Sequence, residues 1–155
     1  MNKFFLGSLC ATLLCSCGFF ERKPLDEEQI RDYIFPKDDP IEKKIDAYSR
    51  GAVGGRSFVV RLEVISDDMV LEQLGEFQLL YSYAEDDPNR VLIIEMFHSS
   101  VLQHFSDSTK PTWIPEETTC QKGVSLYRKQ NEDLVIYAYQ GVGNCNELFF
   151  FGTLD

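Results

Sequence analysis

The chain has 155 residues, 25 of them acidic against 15 basic, for a formal net charge of −10. That length supports one core of ordinary size. The acidic excess excludes nucleic acid as a partner, because binding a phosphate backbone requires Lys and Arg to displace its counterions.

Lys3 precedes an apolar run from Phe4 to Leu14, which closes on Cys15, Ser16, Cys17 and Gly18. One positive charge, an apolar stretch and a small residue before a cysteine make a secretory signal, not folded structure. Leu14, three residues before Cys17, and Ser16, one before, resemble the lipobox of bacterial lipoproteins; Cys15 between them departs from the pattern. A thiolate is nucleophilic enough to take up a lipid, which is why the cysteine matters. The resemblance implies cleavage before Cys17, a diacylglycerol on its sulfur and an acyl chain on the new amino terminus. Those covalent acyl chains are the one prosthetic group expected, and no other cofactor or metal is.

By the same resemblance, residues 1–16 are the signal, 17–24 the lipidated cysteine with a short tether, and 25–155 a single domain. The partner so implied is a membrane of the bacterial envelope. Gly18 stands where an aspartate would favour inner-membrane retention, which favours the outer membrane. Two other readings of these residues compete. One is an uncleaved span, although the run to Phe20 is short and broken at Gly7, Ser8, Thr12, Ser16 and Gly18. The other is an ordinary signal cut after Gly18.

Within the domain, Asp26 followed by Gln29, with Leu25 and Ile30 placed as a hydrophobic staple, predicts a helix ending before Pro36. Asp39, Pro40 and Glu42 predict a second, with Ile41, Ile45 and Tyr48 as its buried stripe and Gly51 as its stop. Phe58, Val60, Leu62 and Val64 alternate with polar Arg61 and Glu63, as in a half-buried strand. A short helix is expected from Ser66 to Leu74. Residues 77–84 and 90–97, flanking the turn formers of 85–89, read as a hairpin, and 99–106 as a brief helix. Pro111 and Pro115 keep the Trp113 segment out of any central strand. Residues 124–128 and 134–139 make a second hairpin, and 147–153 a last strand.

The expected fold is therefore α+β, with two amino-terminal amphipathic helices packed on one face of a mainly antiparallel sheet of about six strands. The second hairpin, centred near residue 132, brings Cys120 opposite Cys145 at its open end. Export permits a disulfide there, worth about 3.5 kcal/mol by loop entropy. Two buried free thiols are the alternative.

Catalytic chemistry is hard to assemble from this chain. His98 and His104 are six apart, which suits no helical metal pair. Ser99, Ser100, His104 and Asp107 supply the residue types of a triad without a nucleophile elbow. The glycines of 51–55 follow a helix signal instead of preceding one, and read as a turn. Adjacent acids such as Asp86 and Asp87 are explained by turns and caps. The unusual asset is aromatic: Tyr81, Tyr83, Tyr137 and Tyr139 lie on strands and form a candidate interaction surface. A non-enzymatic interaction or assembly module, docking an envelope protein, is the expected function. A binding protein for a lipid or other small apolar ligand is the alternative, and a small hydrolase the second alternative.

Overall fold

A computed structural model describes residues 22–35, 45–52, 55–64, 74–106, 108–118 and 120–155. Its elements are α1 (Glu27–Ile34), β1 (Ile45–Ala52), β2 (Gly55–Glu63), β3 (Gln78–Tyr83), α2 (Arg90–His104), β4 (Val124–Gln130), β5 (Leu134–Gln140) and β6 (Glu147–Leu154). The strands form one antiparallel sheet in the order β1-β2-β6-β5-β4-β3. The α+β class and the six antiparallel strands match expectation. Two elements change identity.

Residues 45–51, expected as the second leading helix, are strand β1; Asp39 and the rest of its cap lie outside the described residues. The Ile45 and Tyr48 spacing suits a helix, but pairing of all eight residues with β2 wins. Residues 90–97, expected as a strand, are the first half of α2, and the helix expected at 99–106 is its second half. Val91, Ile93 and Ile94 imitate a strand locally. What decides the matter is burial of Ile93, Phe97 and Val101, which recur every fourth residue and form one stripe. Most of the helix expected at 66–74 lies outside the described residues.

Helix α1 forms as its signals require. The Gln29 amide donates to Asp26 Oδ1 at 2.9 Å, and the Asp26 amide donates to Gln29 Oε1 at 3.1 Å, so a reciprocal cap satisfies two amino-terminal donors. Leu25, Ile30 and Ile34 are buried against the sheet. Immediately upstream, the backbone of Arg22 and Lys23 lies so close to Gly51 on edge strand β1 that a Cβ there would overlap the Arg22 carbonyl. The Leu25 amide then donates to Ser49 Oγ at 2.9 Å. The described end of the expected tether is thus fastened along one edge of the sheet.

Both faces of the sheet are covered. On the first, Phe58, Val60, Leu62, Ile136, Ala138, Leu148 and Phe150 pack with α1. On the second, Val59, Leu126, Tyr139, Phe149 and Phe151 pack with Ile93, Phe97 and Val101 of α2 and with Ile114 from the proline-flanked loop. Successive residues of a strand point to opposite faces, so Phe149, Phe150 and Phe151 serve the two cores alternately. At the centre of the first core the Phe58 ring lies directly over Gly152, its register partner on β6, with Tyr33 of α1 stacked on it at 6.5 Å.

The loop leading into β4 is bound to the loop between β5 and β6. Cys120 and Cys145 form the expected disulfide, Cα atoms 4.6 Å apart. The Cys120 amide donates to the Gly143 carbonyl at 3.1 Å, and Thr118 Oγ1 donates to that of Gly141 at 3.0 Å.

Two stability outcomes follow from this packing. Gly152→Ala has no room for its methyl beneath Phe58 and should lower unfolding free energy by about 3 kcal/mol in urea titrations, part of which Phe58→Leu in the same chain restores. Serine at both Cys120 and Cys145 should cost about 3.5 kcal/mol in the same assay; a loss below 1 kcal/mol would mean that the bond constrains little of the unfolded chain.

Candidate functional site

All four tyrosines of the expected interaction surface lie on strands of the α2-covered half of the molecule, but they do not share one fate. Register places Tyr81 of β3 beside Leu126 of β4, which lies beside Tyr139 of β5. Tyr139 is central and buried, in edge contact with Phe97 at 5.2 Å. It belongs to the core, a correction to its expected exposure. Burial pushes its phenol up, partly offset by a hydrogen bond with Ser100. Tyr137 is half-buried, with the Arg128 guanidinium over its ring at 5.9 Å. Tyr81 and Tyr83 remain at the surface, stacked on each other at 6.4 Å with planes 8° apart.

Between those two tyrosines and α2 runs a groove of about 540 Å³, lined by Tyr81, Tyr83, Leu92, Ile93, Met96 and the flanking Glu95 and Ser99. Leu92, Met96 and Ser99 follow each other at helical spacing on the side of α2 turned away from its buried stripe. Tyr81 is 49% exposed, Leu92 51% and Met96 42%, so large apolar side chains stand in water along both walls. A helix that is apolar beyond its core-facing stripe has a second surface to cover. The sequence signal for this wall was the run of residues 91–96, obscured by its reading as a strand.

The groove adjoins an open edge. Strand β3 pairs only with β4, and its other side is unpaired among the described strands. A bulge at Leu80 shifts the register between Leu79 and Tyr81. Leu80 packs into the second core while Leu79 is 51% exposed.

Two polar clusters lie elsewhere. Arg61 donates through Nε to Asp46 Oδ2 at 3.0 Å, approaches Glu147 Oε1 at 3.5 Å and lies under the Trp113 ring at 5.6 Å, beside a polar hollow of about 360 Å³. Its charge is spent on its own neighbours. The second cluster joins His104 Nδ1 to Ser57 Oγ at 2.8 Å, while Arg50 Nη1 donates to the His104 carbonyl at 3.1 Å. Ser57 is buried, and these bonds fasten the carboxyl end of α2 to the sheet.

Among the described residues, the catalytic types weighed from sequence do not converge. Ser99 edges the groove, Ser100 bonds Tyr139 and His104 bonds Ser57, while Asp107 lies outside the described residues. No group of three His, Cys, Asp or Glu side chains suited to a metal ion occurs among the described residues. Cys17 and its neighbours Leu14, Cys15, Ser16 and Gly18 also lie outside them.

Burial lowers the pKa of His104, and burial with the nearby Lys110 charge lowers that of His98. Both imidazoles are therefore neutral in the folded state where the unfolded chain begins to protonate, near pH 6.5. Stability should be full above that pH and decline as pH falls below it, levelling off once the lowered folded-state values are passed. Chemical denaturation between pH 7.5 and 5.5 should show this decline, reduced by His104→Asn and nearly abolished by adding His98→Asn. An unchanged slope in the double variant would place the effect in other groups.

The chain matches no protein-family model, and neither curated proteins nor solved structures yield a similar chain.

Proposed function

We propose that this chain is a lipid-anchored bacterial envelope protein that acts as a non-enzymatic interaction module, docking a second envelope protein in the groove between β3 and α2. The carrying observation is the exposure of Tyr81, Leu92 and Met96 around one groove at an unpaired sheet edge. Apolar and aromatic surface of this kind is costly to leave in water and is the composition of protein-contact cores. The lipobox resemblance at Cys17 supplies the membrane, with acyl chains on its sulfur and amino group, and Gly18 favours the outer one.

The anchor and the groove fit together spatially in this reading. Arg22 follows Cys17 by five positions, a reach of at most about 18 Å, and Arg22 rests on edge strand β1. Six strands at about 4.8 Å spacing put β3 roughly 24 Å from β1. The lipid thus tethers one edge of the sheet, and the other presents the groove. The open shape of the groove, with exposed side chains on both walls, suits a protein segment better than an enclosed lipid or small apolar ligand.

Two measurements test this. Metabolic labelling with a clickable fatty acid should mark the wild type and fail with Cys17→Ser, which should also leave the membrane fraction. A photo-crosslinking residue in place of Tyr81 should yield a discrete adduct in intact cells, while one in place of exposed Asp133, remote on the β4–β5 turn, should not. Equal patterns from the two positions would remove the docking role.

A further inference from the structure

Strand β3 has the sequence Gln78-Leu79-Leu80-Tyr81-Ser82-Tyr83, with no charge, no proline and no glycine. Sheets normally protect an exposed edge with lysine, proline or a covering segment, because unpaired amides and carbonyls recruit another strand. The opposite edge shows that protection. Strand β1 carries Asp46 and Arg50 and has residues 22–25 laid against it. On β3 the described residues supply only the bulge, and that bulge turns Leu80 into the core, leaving Tyr81 beside the groove.

The rim of the groove is acidic. Glu95 stands on its helical wall, and Glu85 and Asp86 come after Ala84 at the end of β3; none has an ion-pair partner among the described residues. The cation beside these acids is Arg90, which donates to the backbone carbonyls of Glu85 at 2.7 Å and Cys120 at 3.3 Å; farther along β4, Lys129 is held by Glu76 and Arg128 is turned over the Tyr137 ring. A second copy of this chain suits such an edge poorly. Antiparallel pairing of β3 with itself would bring together two copies of a chain of net charge −10.

We infer that β3 receives an extended, basic-flanked segment of a partner protein as a seventh strand, with alternate apolar side chains of that segment seated between Tyr81 and Tyr83 on one wall and Leu92 and Met96 on the other. This rests on the docking role proposed above and specifies how the docking is done. Backbone hydrogen bonds to the edge provide affinity, the apolar groove fixes which face of the added strand points inward, and Glu95, Glu85 and Asp86 select lysine or arginine at the end of the added strand that lies beside Tyr83.

The test uses the full chain in detergent and a fluorescent ten-residue peptide of alternating valine and threonine with two lysines at each end, read by polarisation. Saturable micromolar binding is expected, at least tenfold weaker when glutamates replace the lysines. N-methylation of alternate peptide amides should abolish binding in one of its two registers and spare it in the other, because only one edge of the added strand faces β3. Met96→Glu lies on exposed helix surface, should leave the melting temperature unchanged and should weaken binding at least tenfold. Absence of saturable binding would overturn the inference. So would equal binding by both N-methylated peptides, which leaves groove docking intact but removes strand addition, or sedimentation showing a dimer that the peptide dissociates, which assigns the edge to a second copy.

Discussion

Three consecutive phenylalanines on a central strand impose the architecture. Backbone alternation sends Phe149 and Phe151 to one face of the sheet and Phe150 to the other, and all three are at most 4% exposed. Each fully buried aromatic side chain contributes on the order of 2 to 3 kcal/mol, so neither face can be left to water. Helix α1 closes one side and α2, with the Trp113 loop, the other. A sheet covered on both faces has only its edges left to offer, and that is where the surface features of this molecule are found.

The two edges are treated differently. At β1 the incoming chain from Arg22 to Leu25 is pressed against Gly51 and Ser49, which makes that edge a closed one. At β3, helix α2 covers Leu126 and Tyr139 but leaves Tyr81, Leu92 and Met96 in water. The carboxyl end of this 15-residue helix is fastened to β1 and β2 through Arg50 and Ser57, while its first half, with Leu92 and Met96, stands beside β3. The groove lies between that first half and β3, at the sheet edge opposite β1.

Much of this was legible beforehand, and the exceptions have physical causes. The capping box of α1 and the hairpin of β4 and β5 are local patterns that need no tertiary help, and the Cys120–Cys145 bridge follows from that hairpin. The strand β2 was also visible through Phe58, Val60 and Leu62, but Val59 between them is equally buried, a sign of two covered faces that alternation alone does not reveal. Residues 45–51 and 90–97 were exchanged between helix and strand because short segments carry both periods: Ile45 and Tyr48 share a helical face, and Val91, Ile93 and Ile94 favour a strand locally. In each case long-range pairing or a four-residue burial stripe decided the outcome. Tyr139, expected on an interaction surface, is buried because the helix that covers it forms from residues whose local pattern is that of a strand.

The account turns on whether the uncharged edge is occupied where the protein works. Hydrogen–deuterium exchange read by mass spectrometry on the peptide spanning residues 78–83 can compare the protein in freshly isolated envelope membranes with the same chain purified and dilute. Amide hydrogens protected in membranes and rapidly exchanging after purification, with residues 45–52 unchanged, are the predicted result. Identical exchange of residues 78–83 in both states would mean that nothing pairs with β3 and would contradict the central claim.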